Sequence, residues 1–168
     1  TWEHQALLRA RPVAGSERIA QDFARVRAQT LSARVRRDSL RDDVTAMLGR
    51  MRDKLDKSDR DRFDLKHGVG GIGDIEFLVQ YLVLQNAREH PSVFHYSDNI
   101  RQLDALAVAG CIDNTTSKRL QDIYKAYRLR LHHLALDEQK PRVANSEFAS
   151  ERQFVSDIWQ RTFASAPS

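Results

Sequence analysis

Apolar residues recur along this chain mostly at intervals of three and four, the spacing that lines one face of an α-helix. The clearest case is "SLRDDVTAMLGRMRDKL" (39–55), where Leu40, Val44, Met47, Leu48, Met51 and Leu55 share a stripe. At that spacing the methionines pack rather than ligate. In "NTTSKRLQDIYKAYRLRLHHLALDEQ" (114–139), Leu120, Ile123, Tyr124, Tyr127, Leu131 and Leu134 fall inward. "SERIAQDFARVRAQTL" (16–31) has Ser16 as N-cap and an apolar face of Ile19, Phe23 and Val26. The segment "DIEFLVQYLVLQNAREH" (74–90) is apolar on nearly every side, the pattern of a helix covered all round.

The boundaries follow from caps and breakers. Pro12 and Gly15 end a first helix, and His90-Pro91 ends the apolar one. Ser97 is expected to cap "DNIRQLDALAVA", and Gly110 supplies a left-handed C-terminal residue. Pro141 breaks the long helix, and "SERQ" (150–153) reads as a capping box opening the last one. "DKSDRDR" is a charged, exposed connector, "FDLK" (63–66) is strand-like, and the tail "ASAPS" should fray. The predicted fold is all-α, a helical bundle of six to seven helices with one short strand-like segment. Residues 1–168 read as one domain. Because helix-forming sequence begins at Thr1-Trp2, that domain is expected to be a piece of something longer.

Composition narrows the function classes. No apolar run approaches the roughly 18 residues that span a bilayer, so no membrane partner is expected. A single cysteine, Cys111, excludes an internal disulfide and fits a reducing cytoplasm. Its place after Gly110 predicts an inert, half-buried thiol. Residues 9–52 hold eleven arginines against five acids, an excess of six that offers a face for phosphate or an acidic partner. A solvated basic surface is the bland alternative. Aromatic residues are not interleaved with the arginines as stacking platforms would require, so nucleic acid is not expected.

Candidate chemistry concentrates in "FDLKHGVGGIGDIE" (63–76), which holds four of the seven glycines: Gly68, Gly70, Gly71 and Gly73. The pattern lacks the Gly-Lys-Ser/Thr ending of a P-loop, and no βαβ unit surrounds it. Glycines admit positive φ and close backbone approach, and they lead into a helix start whose N–H groups favour anions. Lys66 adds a cation, while Asp74 and Glu76 suit the positive end of the helix dipole. Tight packing and ligand or metal contact both remain open. His132 and His133 project roughly 100° apart on a helix and cannot chelate one metal together, so a packed or capped pair is expected. No catalytic residue and no metal site is assigned within the chain.

"WEHQALLRAR" (2–11), "FDLKHGVGGIGDIEFLVQYLVL" (63–84), "SDNIRQLDALA" (97–107) and "LRLHHLALDEQ" (129–139) come in an order that resembles bacterial glutamine synthetase adenylyltransferases. The likeness covers essentially the whole chain and points to the helical domain of the C-terminal, adenylylating half. It implies a nucleotidyltransferase that attaches AMP to a tyrosine of glutamine synthetase, while the other half removes it by phosphorolysis. It implies ATP and Mg2+ in the full-length enzyme, held by a catalytic domain upstream, with neither bound to this piece, which should be inactive alone. Implied partners are glutamine synthetase, the PII signal protein and that upstream domain. Arg9, Arg11, Lys66, Gly70, Gly71, Asp74 and Glu76 are the candidates for facing the nucleotide or the cleft. Gly70 and Gly71 are expected to matter for function more than for stability. The alternatives are a non-catalytic module docking glutamine synthetase or PII, and the bundle of a PII uridylyltransferase, which carries a similar glycine segment.

Overall fold

The three-and-four spacing becomes seven α-helices in the computed structural model, which describes residues 2–33 and 38–164. They are α1 (Trp2–Arg9), α2 (Glu17–Ala33), α3 (Leu40–Leu55), α4 (Ile72–Asn86), α5 (Asn99–Val108), α6 (Asn114–Leu136) and α7 (Ala149–Phe163). A 3-10 turn spans Pro91–Phe94, and the strands β1 (Arg62–Asp64) and β2 (Arg142–Ala144) complete the order. The all-α expectation is borne out. No helix among the described residues is long and apolar enough to cross a membrane. The chain divides into two compact units, Thr1–Asp43 with Val79–Lys118 and Val44–Leu78 with Arg119–Ser168, so the division falls inside α3, α4 and α6.

In the first unit α2 lies against α1 and the 3-10 turn. Leu8, Leu31, Val83, Phe94, Leu103 and Leu106 are buried there. The apolar face expected of α2 is not the one it buries. Ile19 is 67% exposed and Val26 55%, whereas Arg27 and Leu31 are buried. The reason is polar: the Arg27 guanidinium donates to the carbonyls of Leu7 (3.0 Å), Leu8 (2.9 Å) and Phe94 (2.7 Å). Carbonyls at the end of α1 have no helical partner, and a cation there also meets the negative end of the helix dipole.

The helix caps are partly as expected. Ser16 caps α2, its hydroxyl accepting from Ile19 N–H at 3.4 Å. Gly110 has φ +72°, and Cys111 N–H reaches back to Leu106 O at 2.9 Å, closing the Schellman turn. Cys111 is half-buried, and burial pushes its thiol pKa up. Asp98, not Ser97, caps α5, its carboxylate accepting from Arg101 N–H at 3.0 Å.

In the second unit Leu48, Leu65, Ile75, Leu120, Tyr127 and Val155 are buried. β1 and β2 pair antiparallel with Phe63 opposite Val143, and the pairing continues through Leu65 N–H to Pro141 O at 2.9 Å. The strand-like "FDLK" therefore has a partner that sequence periodicity does not mark. The "SERQ" capping box does not form. α7 begins one residue before Ser150, from Phe148 at φ +59°, and the Ser150 hydroxyl bonds Glu151 instead. Phe148 is held there by its ring, edge-on to Tyr127 at 5.1 Å between centroids.

Candidate functional site

The glycine stretch is built around Asp64 at the end of β1. Its Oδ1 accepts from the N–H groups of Lys66 (2.9 Å) and His67 (3.0 Å), and its Oδ2 from Lys57 N–H (3.1 Å). Its carbonyl accepts from Gly68 N–H at 2.9 Å. The next turn closes with Gly71 N–H on Gly68 O at 2.9 Å and has Gly70 at φ +80° in its third position, the type II requirement.

The helix start that follows offers no free donors of the kind expected. Ile72 N–H bonds Leu65 O (2.9 Å), Gly73 N–H bonds Lys66 O (3.2 Å) and Asp74 N–H bonds Gly71 O (3.2 Å). The loop's own carbonyls occupy the anion-binding end of α4. The glycines are needed because this closure leaves no room for side chains. A Cβ at Gly71 would lie 2.8 Å from the carbonyl oxygens of both Gly68 and Leu65, and one at Gly70 would lie 2.3 Å from Arg152 O. Tight packing within the second unit accounts for the glycines.

Asp74 is likewise internal. Its Oδ1 takes the Arg52 guanidinium at 2.5 Å and its Oδ2 takes Gly70 N–H at 2.8 Å, with 3% of the side chain exposed. Burial raises its pKa above the ordinary aspartate value, and the Arg52 charge and the Gly70 N–H offset only part of that rise. Read from sequence as a helix-start anion, Asp74 should contribute about 0.5–1 kcal/mol at most. The geometry asks for more. Asp74→Ala should cost about 2–3 kcal/mol, because Gly70 N–H is left buried without an acceptor and Arg52 loses its counter-charge. Urea unfolding of Asp74→Ala beside Glu76→Ala checks this, since Glu76 makes one half-buried hydrogen bond, from Tyr124 OH at 3.1 Å. Equal losses in the two variants would contradict it.

The seven candidates divide between the two units. Arg9 and Arg11 belong to the first unit and the other five to the second. Arg9 turns inward, donating to Asn99 Oδ1 at 2.6 Å and Ser97 O at 3.4 Å. Arg11 is exposed and lines a cavity of about 610 Å³ with Phe23, Phe94, His95, Tyr96 and Arg101. Arg11 lies beyond α1, which ends at Arg9. Lys66 and Glu76 line a cavity of about 380 Å³ in the second unit, together with His67, Arg128 and His132.

The arginine-rich region is not a single phosphate-facing surface. Arg27 and Arg52 are spent on internal partners and Arg25 pairs with Asp22 at 2.6 Å. Arg34, Arg36 and Arg37 lie outside the described residues. His132 and His133 are both exposed rather than packed. The donors present do not fit a magnesium ion. Asp74 is committed to Arg52, Glu76 gives one carboxylate oxygen to Tyr124, and among the described residues no three His, Cys, Asp or Glu side chains gather as a metal site.

The internal roles of Arg27, Arg52 and Arg152 were missed in the sequence, and Tyr127 was read only as an inward-facing residue. Tyr127 OH donates to Gly70 O at 3.0 Å, and the Arg152 guanidinium sits 4.1 Å over the Phe63 ring. The signal that would have found Arg27 is its position four residues after Phe23 and four before Leu31, in the middle of an apolar stripe.

The chain belongs to the family described as GlnD PII-uridylyltransferase, whose model matches residues 39–145. It is also similar to proteins called bifunctional glutamine synthetase adenylyltransferase/adenylyl-removing enzyme. One from Thioalkalivibrio sulfidiphilus is 45% identical over 96% of this chain and 17% of its own length. Those from Pseudomonas aeruginosa and Mannheimia haemolytica are 43% and 40% identical, over 95% and 98% of this chain and 18% and 17% of theirs. The chain thus spans about a sixth of the length of the curated relatives it matches.

Proposed function

We propose that this chain is the helical domain of the adenylylating half of a longer, bifunctional enzyme that adenylylates and de-adenylylates glutamine synthetase in the cytoplasm. One observation carries the reading: identity of 40–45% extends over 95–98% of the chain, including the ends that the family model leaves unmatched. ATP and magnesium would be held by an upstream catalytic domain of the longer protein, and the PII protein would be a regulatory partner. Of the seven candidates, Arg11, Lys66 and Glu76 are the ones free to face a neighbouring domain or ligand. Arg9, Gly70, Gly71 and Asp74 support the fold. The family description favours a second reading, a PII uridylyltransferase.

The two readings separate by nucleotide and acceptor. With magnesium and labelled ATP, the longer protein should label glutamine synthetase, and the 168-residue chain alone should label nothing. Label passing from UTP to PII instead would establish the second reading, and transfer by the chain alone would overturn the placement of the active site elsewhere. In the longer protein Arg11→Ala should lower transfer about tenfold if it meets a phosphate, with the melting temperature unchanged. Arg9→Ala should instead lower the melting temperature, by about 2–4 °C.

A further inference from the structure

Packing accounts for most of "KHGVGGIGDIEF" (66–77), but not for Lys66 and for only one oxygen of Glu76. Gly68, Gly70, Gly71 and Gly73 close the loop, Asp74 holds Arg52, and Ile72 and Ile75 are buried. Lys66 is exposed, and its side chain makes no hydrogen bond or ion pair among the described residues. The "RLRLHHLAL" segment (128–136) leaves two more: Leu134 is buried, whereas Arg128 and His132, one turn apart on α6, are exposed. Arg128 has one polar contact, to His132 Nε2 at 3.4 Å. These leftovers from two separate stretches line one cavity, of about 380 Å³.

The cavity's chemistry is lopsided. Lys66 and Arg128 are two cations with no carboxylate paired to either. Two imidazoles, His67 and His132, stand beside them. The one acid in the wall, Glu76, already accepts from Tyr124 OH. Met51, Ile72, Phe77 and Leu131 supply apolar surface. Unneutralised cations beside a low-dielectric wall create a positive potential that an anion relieves. The volume lies at the small end of the roughly 300–1,000 Å³ typical of ligand pockets.

We propose that this cavity binds a small molecule bearing an oxyanion, a phosphate or a carboxylate, held by Lys66 and Arg128. Its apolar body lies on Phe77, Ile72, Met51 and Leu131, and a hydroxyl or amino group, where the ligand has one, donates to Glu76. The helix start contributes nothing, since its donors are taken by the loop. The site stands whichever nucleotidyl group the longer protein transfers.

Calorimetric titration of the longer protein with phenyl phosphate and with phenylacetate tests it, the shared ring isolating the choice of oxyanion. At least one probe should bind with a Kd below about 1 mM. Lys66→Met and Arg128→Met should each weaken that binding about tenfold or more. Lys66→Arg should restore most of it, and Lys125→Met, an exposed cation elsewhere on α6, should change nothing. Binding of a probe at any other site in the longer protein would not respond to these substitutions. Titrations identical in wild type, Lys66→Met and Arg128→Met, or no heat from either probe, would overturn the proposal whatever the AMP-transfer assay reports.

Discussion

Gly70→Ala is expected to lower stability by about 3–5 kcal/mol, enough to cut the melting temperature by roughly 10 °C in a chain of this size. Two costs combine. At φ +80° a side chain carries left-handed strain of about 1–2 kcal/mol. The added Cβ also meets backbone, 2.3 Å from the carbonyl oxygen and 2.8 Å from the carbonyl carbon of Arg152. A flexible side chain would swing aside, but the first turn of α7 has to move as a unit. Overpacking of that kind costs about 1–3 kcal/mol or more. Both hydrogen bonds of the Gly70 peptide units, to Asp74 and from Tyr127, resist the adjustment. Gly110→Ala is the internal control. It has a similar φ of +72° but open space around its Cβ, so it should lose only the strain. Thermal melts of the two variants separate sterics from strain, and equal shifts would remove the steric argument. This inverts the sequence-based expectation that Gly70 and Gly71 serve function before stability.

Local spacing made several fold features legible, though not the buried face of α2 or the start of α7. The stripes of α3 and α6, the all-round apolar α4 and the Gly110 stop each follow from residues a few positions apart, and each is observed, except that Leu55 at the end of the α3 stripe is exposed. What escaped depends on partners distant in sequence. β2 is three residues long and exists only because β1, some eighty residues earlier, supplies its hydrogen bonds. No alternation in "RVA" announces it. Asp74 looked like a helix-start anion because its ligand, Arg52, comes from another helix. The glycine stretch was recognisably special, yet its meaning turned on what stands beside each missing Cβ, and that is backbone from Leu65, Gly68 and Arg152. Phe148 opening α7 broke the capping rule because its ring contact to Tyr127 outweighed the preference for a polar cap. Of the seven candidates legible in the sequence, Lys66, Glu76 and Arg11 are the ones that line these cavities.

The second large effect is expected at Arg27, which hydropathy assigns to solvent and the fold places inside. Burial depresses its pKa, but a guanidinium stays protonated far above neutrality, so a full positive charge is held among carbonyls. Arg27→Met keeps most of the side chain's length and apolar contact while deleting the charge and all three hydrogen bonds. The oxygens of Leu8 and Phe94 then lose this donor at once, and Leu7 O keeps only the Ala10 N–H at 3.2 Å. Hydrogen bonds to charged groups contribute about 1.5–3 kcal/mol each, and water entering the vacated space recovers part of the sum, so the net loss should be about 3–5 kcal/mol. Arg27→Lys sharpens the test. An ammonium carries the same charge but lacks the planar fork that reaches carbonyls on α1 and the 3-10 turn together. It should recover roughly half of the loss, and full recovery would mean that charge alone matters. Hydrogen exchange supplies the spatial check, because the last turn of α1 and the residues around Phe94 should lose protection together in Arg27→Met. A variant that melts within about 2 °C of wild type, a difference of under 1 kcal/mol for a chain of this size, would show that α1 is held by its apolar contacts through Leu8 and not by the arginine.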